Sequence, residues 1–254
     1  MMKKSSPRSI FLLLLTALVW GFGFVAQDVA TGSVRAFTFN GTRMALAALV
    51  VFLFCLYRDS RGKGAPETGD GVPFRQMTAA QKKTLLGGGA LCGVALAIAS
   101  ALQQIGIEQG TSAGKAGFIT AMYILFVPLG ELLIFRKKLR WLLLPAVLLS
   151  VTGLYLLCMK AGAALTLEGG DGTLLLCAVA FTAHILIIDR VSPRTDGVKL
   201  SCVQFAVAAV VSLIVALIAE KPSWDEIIRC WVPIAYAGIM SGGVGYTLQI
   251  VGQK

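Results

Sequence analysis

Polar side chains able to do chemistry stand at only a few places inside the long apolar runs of this sequence. His184, the single histidine, lies between Phe181 and the stretch Ile185 to Ile188. An imidazole in that setting can accept a proton or donate to a substrate carboxylate. Arg43 brings a fixed positive charge whose planar fork suits an anionic group such as a carboxylate. Trp20, beside Gly21 and Gly23, and Tyr123 offer cavity-lining rings, and Glu131 offers a carboxyl for proton coupling. Gln103 and Gln249 carry amides suited to gating contacts. Each has a plainer structural alternative. His184 can bond a neighbouring helix, Trp20 can simply pack, Arg43 can pair with Asp28 or Glu108, Glu131 can pair with Arg136, and the glutamines can bridge helices.

Other strings that resemble sites are set aside. Gly110 to Ala116 (GTSAGKA) has three residues between its glycines and no Ser or Thr after Lys115, so it is not read as a phosphate loop. Asn40-Gly41-Thr42 matches a glycosylation sequon but lies within an apolar run. Cys55, Cys92, Cys158, Cys177, Cys202 and Cys230 form no C-x-x-C pair and read as small core residues. No His, Cys or carboxylate cluster has the spacing of a metal site, and no catalytic residue or cofactor is expected.

The elements that must position these side chains follow from composition. Of 254 residues, 56% are hydrophobic and 14% charged, with a mean hydropathy of +0.77. A soluble domain carries roughly 25% charged residues, so a single water-soluble core is excluded. Runs of about 20 apolar residues cross a bilayer as helices. Eight are expected: Ile10 to Val29, Ala36 to Leu56, Leu85 to Ile105, Ala116 to Phe135, Trp141 to Met159, Thr173 to Ile188, Leu200 to Ala219 and Trp231 to Val251. The first continues past the length of a signal peptide's apolar region and is expected to be retained.

With the N-terminus in the cytoplasm, the large majority of the 23 Lys and Arg fall on the inner side, and Arg43 alone lies inside a span. The net charge of +10 is therefore a topology signal, and nucleic acid is not an expected partner. At 1.5 Å per residue, Trp20 and His184 lie about 15 Å from their helix ends, near the midplane, and Arg43 about 10 Å below the outer surface. Tyr123 falls about a third of the way down its helix. Gln103 and Gln249 fall near opposite faces, which suits an outer and an inner gate.

The second half repeats the first in the same order. The first span lies over the sixth, placing Trp20 against Thr182 and Phe22 against His184. The second lies over the seventh, pairing Arg35 with Lys199 and Asn40 with Gln204. The third lies over the eighth, pairing Gln103 with Gln249. Five helices separate the partners, so the copies are inverted, a recurrent plan of secondary transporters.

Trp20-Gly21 in the first span, Arg43 in the second, FITAMYILFVPLGELLIF over 118–135 and GLYLL over 153–157 give a chain that resembles the EamA family of drug/metabolite transporters. The resemblance implies a ten-helix all-α membrane fold of two inverted five-helix repeats, with a small metabolite such as an amino acid held between them. Residues 1–160 would form the first repeat and 161–254 an incomplete second repeat of three helices. Arg136-Lys137-Lys138-Leu139 departs from the acidic turn that many members carry after the fourth helix. The eighth span ends where the repeat requires two more helices, so the chain is expected to be a fragment of a protein near 300 residues; a natural eight-helix form is the alternative.

The expected activity is secondary transport of small organic metabolites across the plasma membrane by alternating access. Trp20, Arg43, Tyr123 and His184 would bind substrate, Gln103 and Gln249 would gate, and Glu131 and His184 would couple protons. An intramembrane enzyme acting on lipid is the alternative from another class, and an inactive fragment a third. The expected partners are the metabolite and the bilayer; a homodimer stays open.

Overall fold

The computed structural model describes residues 7–61, 72–136, 143–158, 169–246 and 248. Among them there is no strand. The helices are α1 Pro7–Ala30, α2 Ala36–Ser60, α3 Ala79–Glu108, α4 Ala113–Thr120, α5 Tyr123–Phe135, α6 Leu143–Cys158, α7 Asp171–Val191, α8 Gly197–Ala219, α9 Trp224–Arg229 and α10 Trp231–Ala235. After α10 the chain continues as a π-helix over Tyr236–Gly245.

Six helical stretches are long and apolar enough to cross a membrane: Ile10–Ala30, Ala36–Ser60, Ala79–Glu108, Ala113–Phe135, Asp171–Arg194 and Gly197–Ala219. The other two expected spans lie partly outside the described residues. The fifth is a helix of 16 described residues. Of the eighth, residues 231–245 are a five-residue α-helix followed by ten π-helical residues. The fourth is divided at Ala121 and Met122. Further along, Pro128 within α5 has no N–H for the Ile124 carbonyl. The backbone tightens just upstream, with Ile124 N–H donating to Ala121 O at 2.9 Å and Leu125 N–H to Met122 O at 2.9 Å.

Polarity is arranged inside out. Leu133, Leu149 and Ile218 are largely exposed, while Asn40, Gln104, Gln204 and Ser212 are buried. Apolar contact with the surroundings costs nothing when the surroundings are lipid, whereas an amide must find its partners within the protein. Six candidate spans with this distribution make a multi-pass membrane protein.

The central slab packs α2, α3 and α8 through Met44, Ala47, Val51, Leu96, Phe205 and Ala208. Glycines permit close approach of the helices, with Gly89 and Gly93, and Gly238 and Gly242, at G-x-x-x-G spacing. A Cβ at Gly93 would lie 2.7 Å from the Gln204 carbonyl oxygen, and one at Gly242 2.6 Å from Ala47 Cβ.

Helices α2 and α8 are antiparallel, and polar contacts tie both of their ends. At the end where α2 begins, the Glu220 carboxylate accepts from the backbone N–H groups of Phe37 at 2.9 Å and Thr38 at 2.7 Å. At the other end Asp196 accepts from the N–H groups of Val198 at 2.9 Å and Lys199 at 3.1 Å, and pairs with Arg58. Lys199 pairs with Asp59 at 2.9 Å. Carboxylates at helix N-termini satisfy donors that no intrahelical carbonyl reaches.

Candidate functional site

A cavity of about 460 Å³ opens between α1, α2, α3, the α4–α5 break, α7, α8 and the π-helix. It lies within the roughly 300–1,000 Å³ typical of small-molecule pockets. Trp20, Arg43, Gln103, Tyr123 and His184 all line it, although they come from five different helical stretches. Glu131 does not; it sits half-buried on α5, one turn before the helix ends. Gln249 lies outside the described residues.

Arg43 is 7% exposed. Its Nε and Nη2 both donate to Asn40 Oδ1, at 3.1 and 3.0 Å, one helical turn away. Asn40 in turn donates through Nδ2 to Ser212 Oγ on α8 at 2.9 Å. The guanidinium also lies over the Phe39 ring, 5.4 Å from its centroid. The alternative pairing with Asp28 or Glu108 is absent: the neutral amide of Asn40 takes the position where a carboxylate partner was expected. A guanidinium has five N–H donors, so the bonds to Asn40 leave donors for another acceptor.

His184 is 3% exposed, and its Nε2 donates to Gln204 Oε1 on α8 at 3.1 Å. This assignment follows from the amide oxygen, which can only accept. The ring stands edge-on to Phe181, 6.4 Å between centroids. The imidazole is thus held by a neighbouring helix, as its structural alternative required, while remaining on the cavity wall.

Trp20 donates its indole N–H to the Ser241 carbonyl in the π-helix at 3.0 Å. A second bond joins the same segments, from Tyr236 Oη to Val19 O at 3.1 Å. Around the space two aromatic groups face the site. Trp20 and Phe205 each stack against Tyr246, with centroids 5.2 and 4.9 Å apart. Tyr123 packs on Phe181 at 6.3 Å. Gln103 Nε2 donates to Thr120 Oγ1 at 3.4 Å, joining α3 to the last residue of α4.

Sequence reasoning missed Phe181, Phe205, Ser241 and Tyr246 on this wall. An aromatic or a serine does not stand out in an apolar run. The sequence signal that marks Ser241 and Tyr246 is the glycine density from Gly238 to Gly245, where the helix widens. Helical stretches with i→i+5 bonding are rare and often lie at functional sites.

Lys115, in the discounted GTSAGKA string, is buried against Asp171 with Nζ and Oδ2 2.7 Å apart, so its charge is neutralised within the protein. Among the described residues, no group of three or more His, Cys, Asp or Glu could hold a metal ion.

Residues 7–159 match the EamA-like transporter family. An uncharacterized transporter of Archaeoglobus fulgidus is 28% identical over 189 residues, covering 74% of this chain and 51% of that protein. The chain therefore spans about half the length of the curated relative it matches.

Proposed function

Because this chain belongs to the EamA-like transporter family, we propose that it moves small organic metabolites such as amino acids by alternating access. The observation that carries this reading is Arg43. It stands on the cavity wall, and a neutral amide is its hydrogen-bonding partner. An ionised side chain inside a membrane-spanning bundle is costly and marks a substrate path by default. A substrate carboxylate supplies the missing counter-charge, Trp20 and Tyr123 hold the apolar body, and His184 donates or exchanges a proton. Gln103 contributes to closure on one side, and Gln249 and Glu131 to closure and proton coupling on the other.

The N-terminus is assigned to the cytoplasm of a plasma-membrane protein by the excess of basic residues on that side. Eight spans are assigned to residues 1–254, with 1–160 as one five-helix repeat and 161–254 as part of an inverted second. The antiparallel α2–α8 pair, tied at both ends, supports this arrangement. Exchange or a proton gradient drives the cycle.

The test is uptake into proteoliposomes across a metabolite panel, with Arg43→Lys and His184→Gln at matched protein content. Arg43→Lys is expected to impair transport because an ammonium lacks the planar fork. His184→Gln is expected to spare binding more than gradient-driven accumulation. Unchanged rates in both variants would return these residues to structural roles.

A further inference from the structure

The charge inventory of the cavity wall carries an inference about what the site holds. Among the described residues that line it, Arg43 is the one formally charged side chain, and neither Asp nor Glu is present. The remaining polar groups are amides, hydroxyls and the His184 imidazole, whose Nε2 is engaged by Gln204. Gln27 also lines the cavity, and its Oε1 has no hydrogen-bond partner; as a neutral amide oxygen it can bond a donor but cannot compensate a positive charge. Six aromatic rings line the cavity: Trp20, Phe24, Tyr123, Phe181, Phe205 and Tyr246.

We infer that the preferred ligand is an aromatic monocarboxylate lacking an ammonium group, its carboxylate on Arg43 and its ring among these aromatics. This rests on the transporter reading above and narrows the substrate from metabolites in general to one chemical class. The reason is net charge. A buried site of +1 becomes neutral when it takes up a monoanion, and neutrality is favoured where water is excluded. A zwitterionic amino acid also places a carboxylate on Arg43, but it leaves the site at +1 and adds an ammonium near the guanidinium. Serine hydroxyls and backbone carbonyls can bond that ammonium without compensating its charge. An aromatic face attracts a cation, but here it would do so within the field of Arg43.

Three probes with a shared phenyl and two-carbon linker separate these cases: 3-phenylpropanoate, phenylalanine and phenethylamine. Binding to the full chain in lipid nanodiscs is followed by tryptophan fluorescence and calorimetry, and movement by uptake into proteoliposomes. The expected result is that 3-phenylpropanoate binds at least tenfold more tightly than phenylalanine, while phenethylamine does not bind. Arg43→Gln should remove that preference, and Arg43→Lys, which keeps the charge, should retain it at weaker affinity. Equal or tighter binding of phenylalanine, or binding of none of the three, overturns the inference. The wild-type ratio decides the question even if a variant fails to fold. Selective binding of the acid without its movement upholds the inference and overturns the transport reading. Preferential movement of phenylalanine does the reverse.

Discussion

Glu220 accepts both the backbone N–H and the hydroxyl of Thr38, each at 2.7 Å, so the residue that ends α8 also caps α2. Its other oxygen takes the Phe37 N–H at 2.9 Å. Glu220→Gln keeps the size but has one acceptor oxygen in place of two. The expected loss is about 1 kcal/mol, the usual worth of an N-cap. Thermal unfolding in detergent measures it, and an unchanged midpoint would mean that water caps α2 equally well.

At the opposite end of the same helix pair, Asp196 has two tasks: it caps α8 and pairs with Arg58. Asp196→Ala therefore removes more than Arg58→Ala does. The former should cost about 3 kcal/mol, in the range for breaking a buried pair. The latter should cost less, because Asp196 keeps its two backbone donors. Equal losses for the two single variants would show that the cap contributes nothing beyond the ion pair.

Asn40 fixes the Arg43 fork with a neutral oxygen. Asn40→Asp places a carboxylate at that point and completes an internal ion pair. Binding of a carboxylate ligand should then fall at least tenfold, about 1.4 kcal/mol, while the protein remains folded. Calorimetric titration with wild type and variant tests this; undiminished affinity would mean that the ligand does not use the Arg43 charge.

Two glycines on lipid-crossing helices should respond in opposite ways to alanine. At Gly93 a Cβ would lie 2.6 Å from Val207 Cβ and 2.7 Å from the Gln204 carbonyl oxygen, whereas at Gly21 nothing lies within 4 Å. Gly93→Ala is expected to destabilise by about 1–3 kcal/mol through overpacking. Gly21→Ala is expected to be neutral or to stabilise by up to about 1 kcal/mol through helix propensity. Thermal midpoints of the two variants in the same detergent check the pair, and a shared direction would contradict the packing described.

Hydropathy located the six spans because lipid selects for uninterrupted apolar runs, but it misplaced ends that water stabilises. Helix α3 begins at Ala79, six residues before the apolar run at Leu85, because Thr78 and Gln81 form a capping box and Lys82 and Lys83 extend the helix beyond that run. The division of α4 from α5 at Ala121 and Met122 has no residue there to signal it, and the π-helix has only a cluster of glycines. In the site, Arg43, His184 and Gln103 stood out because a polar side chain in an apolar run has few reasons to be there. Tyr246 and Phe181 did not, since a ring that packs and a ring that faces a cavity have the same sequence appearance. The partner of Arg43 was expected from charge alone, which pointed to Asp28 or Glu108; the amide of Asn40, one turn away on the same helix, was nearer.

The widened turns between Tyr236 and Gly245 also bear on how this chain tolerates changes in its length. A helix closed by i→i+5 bonds holds more residues per turn than one closed by i→i+4, so it stores surplus chain within a regular cylinder. Removing one residue there, such as Met240, lets a wide turn relax to the ordinary pitch, and Tyr246 can keep its face toward Trp20. The same deletion within α8 has no surplus to draw on and would rotate every following side chain by about a quarter turn or more. Expression and folding of the two single-residue deletions compare these cases, and equal damage would show that the wide turns hold no usable slack. On this account the segment opposite Trp20 can lose a residue without changing which side chains meet the cavity.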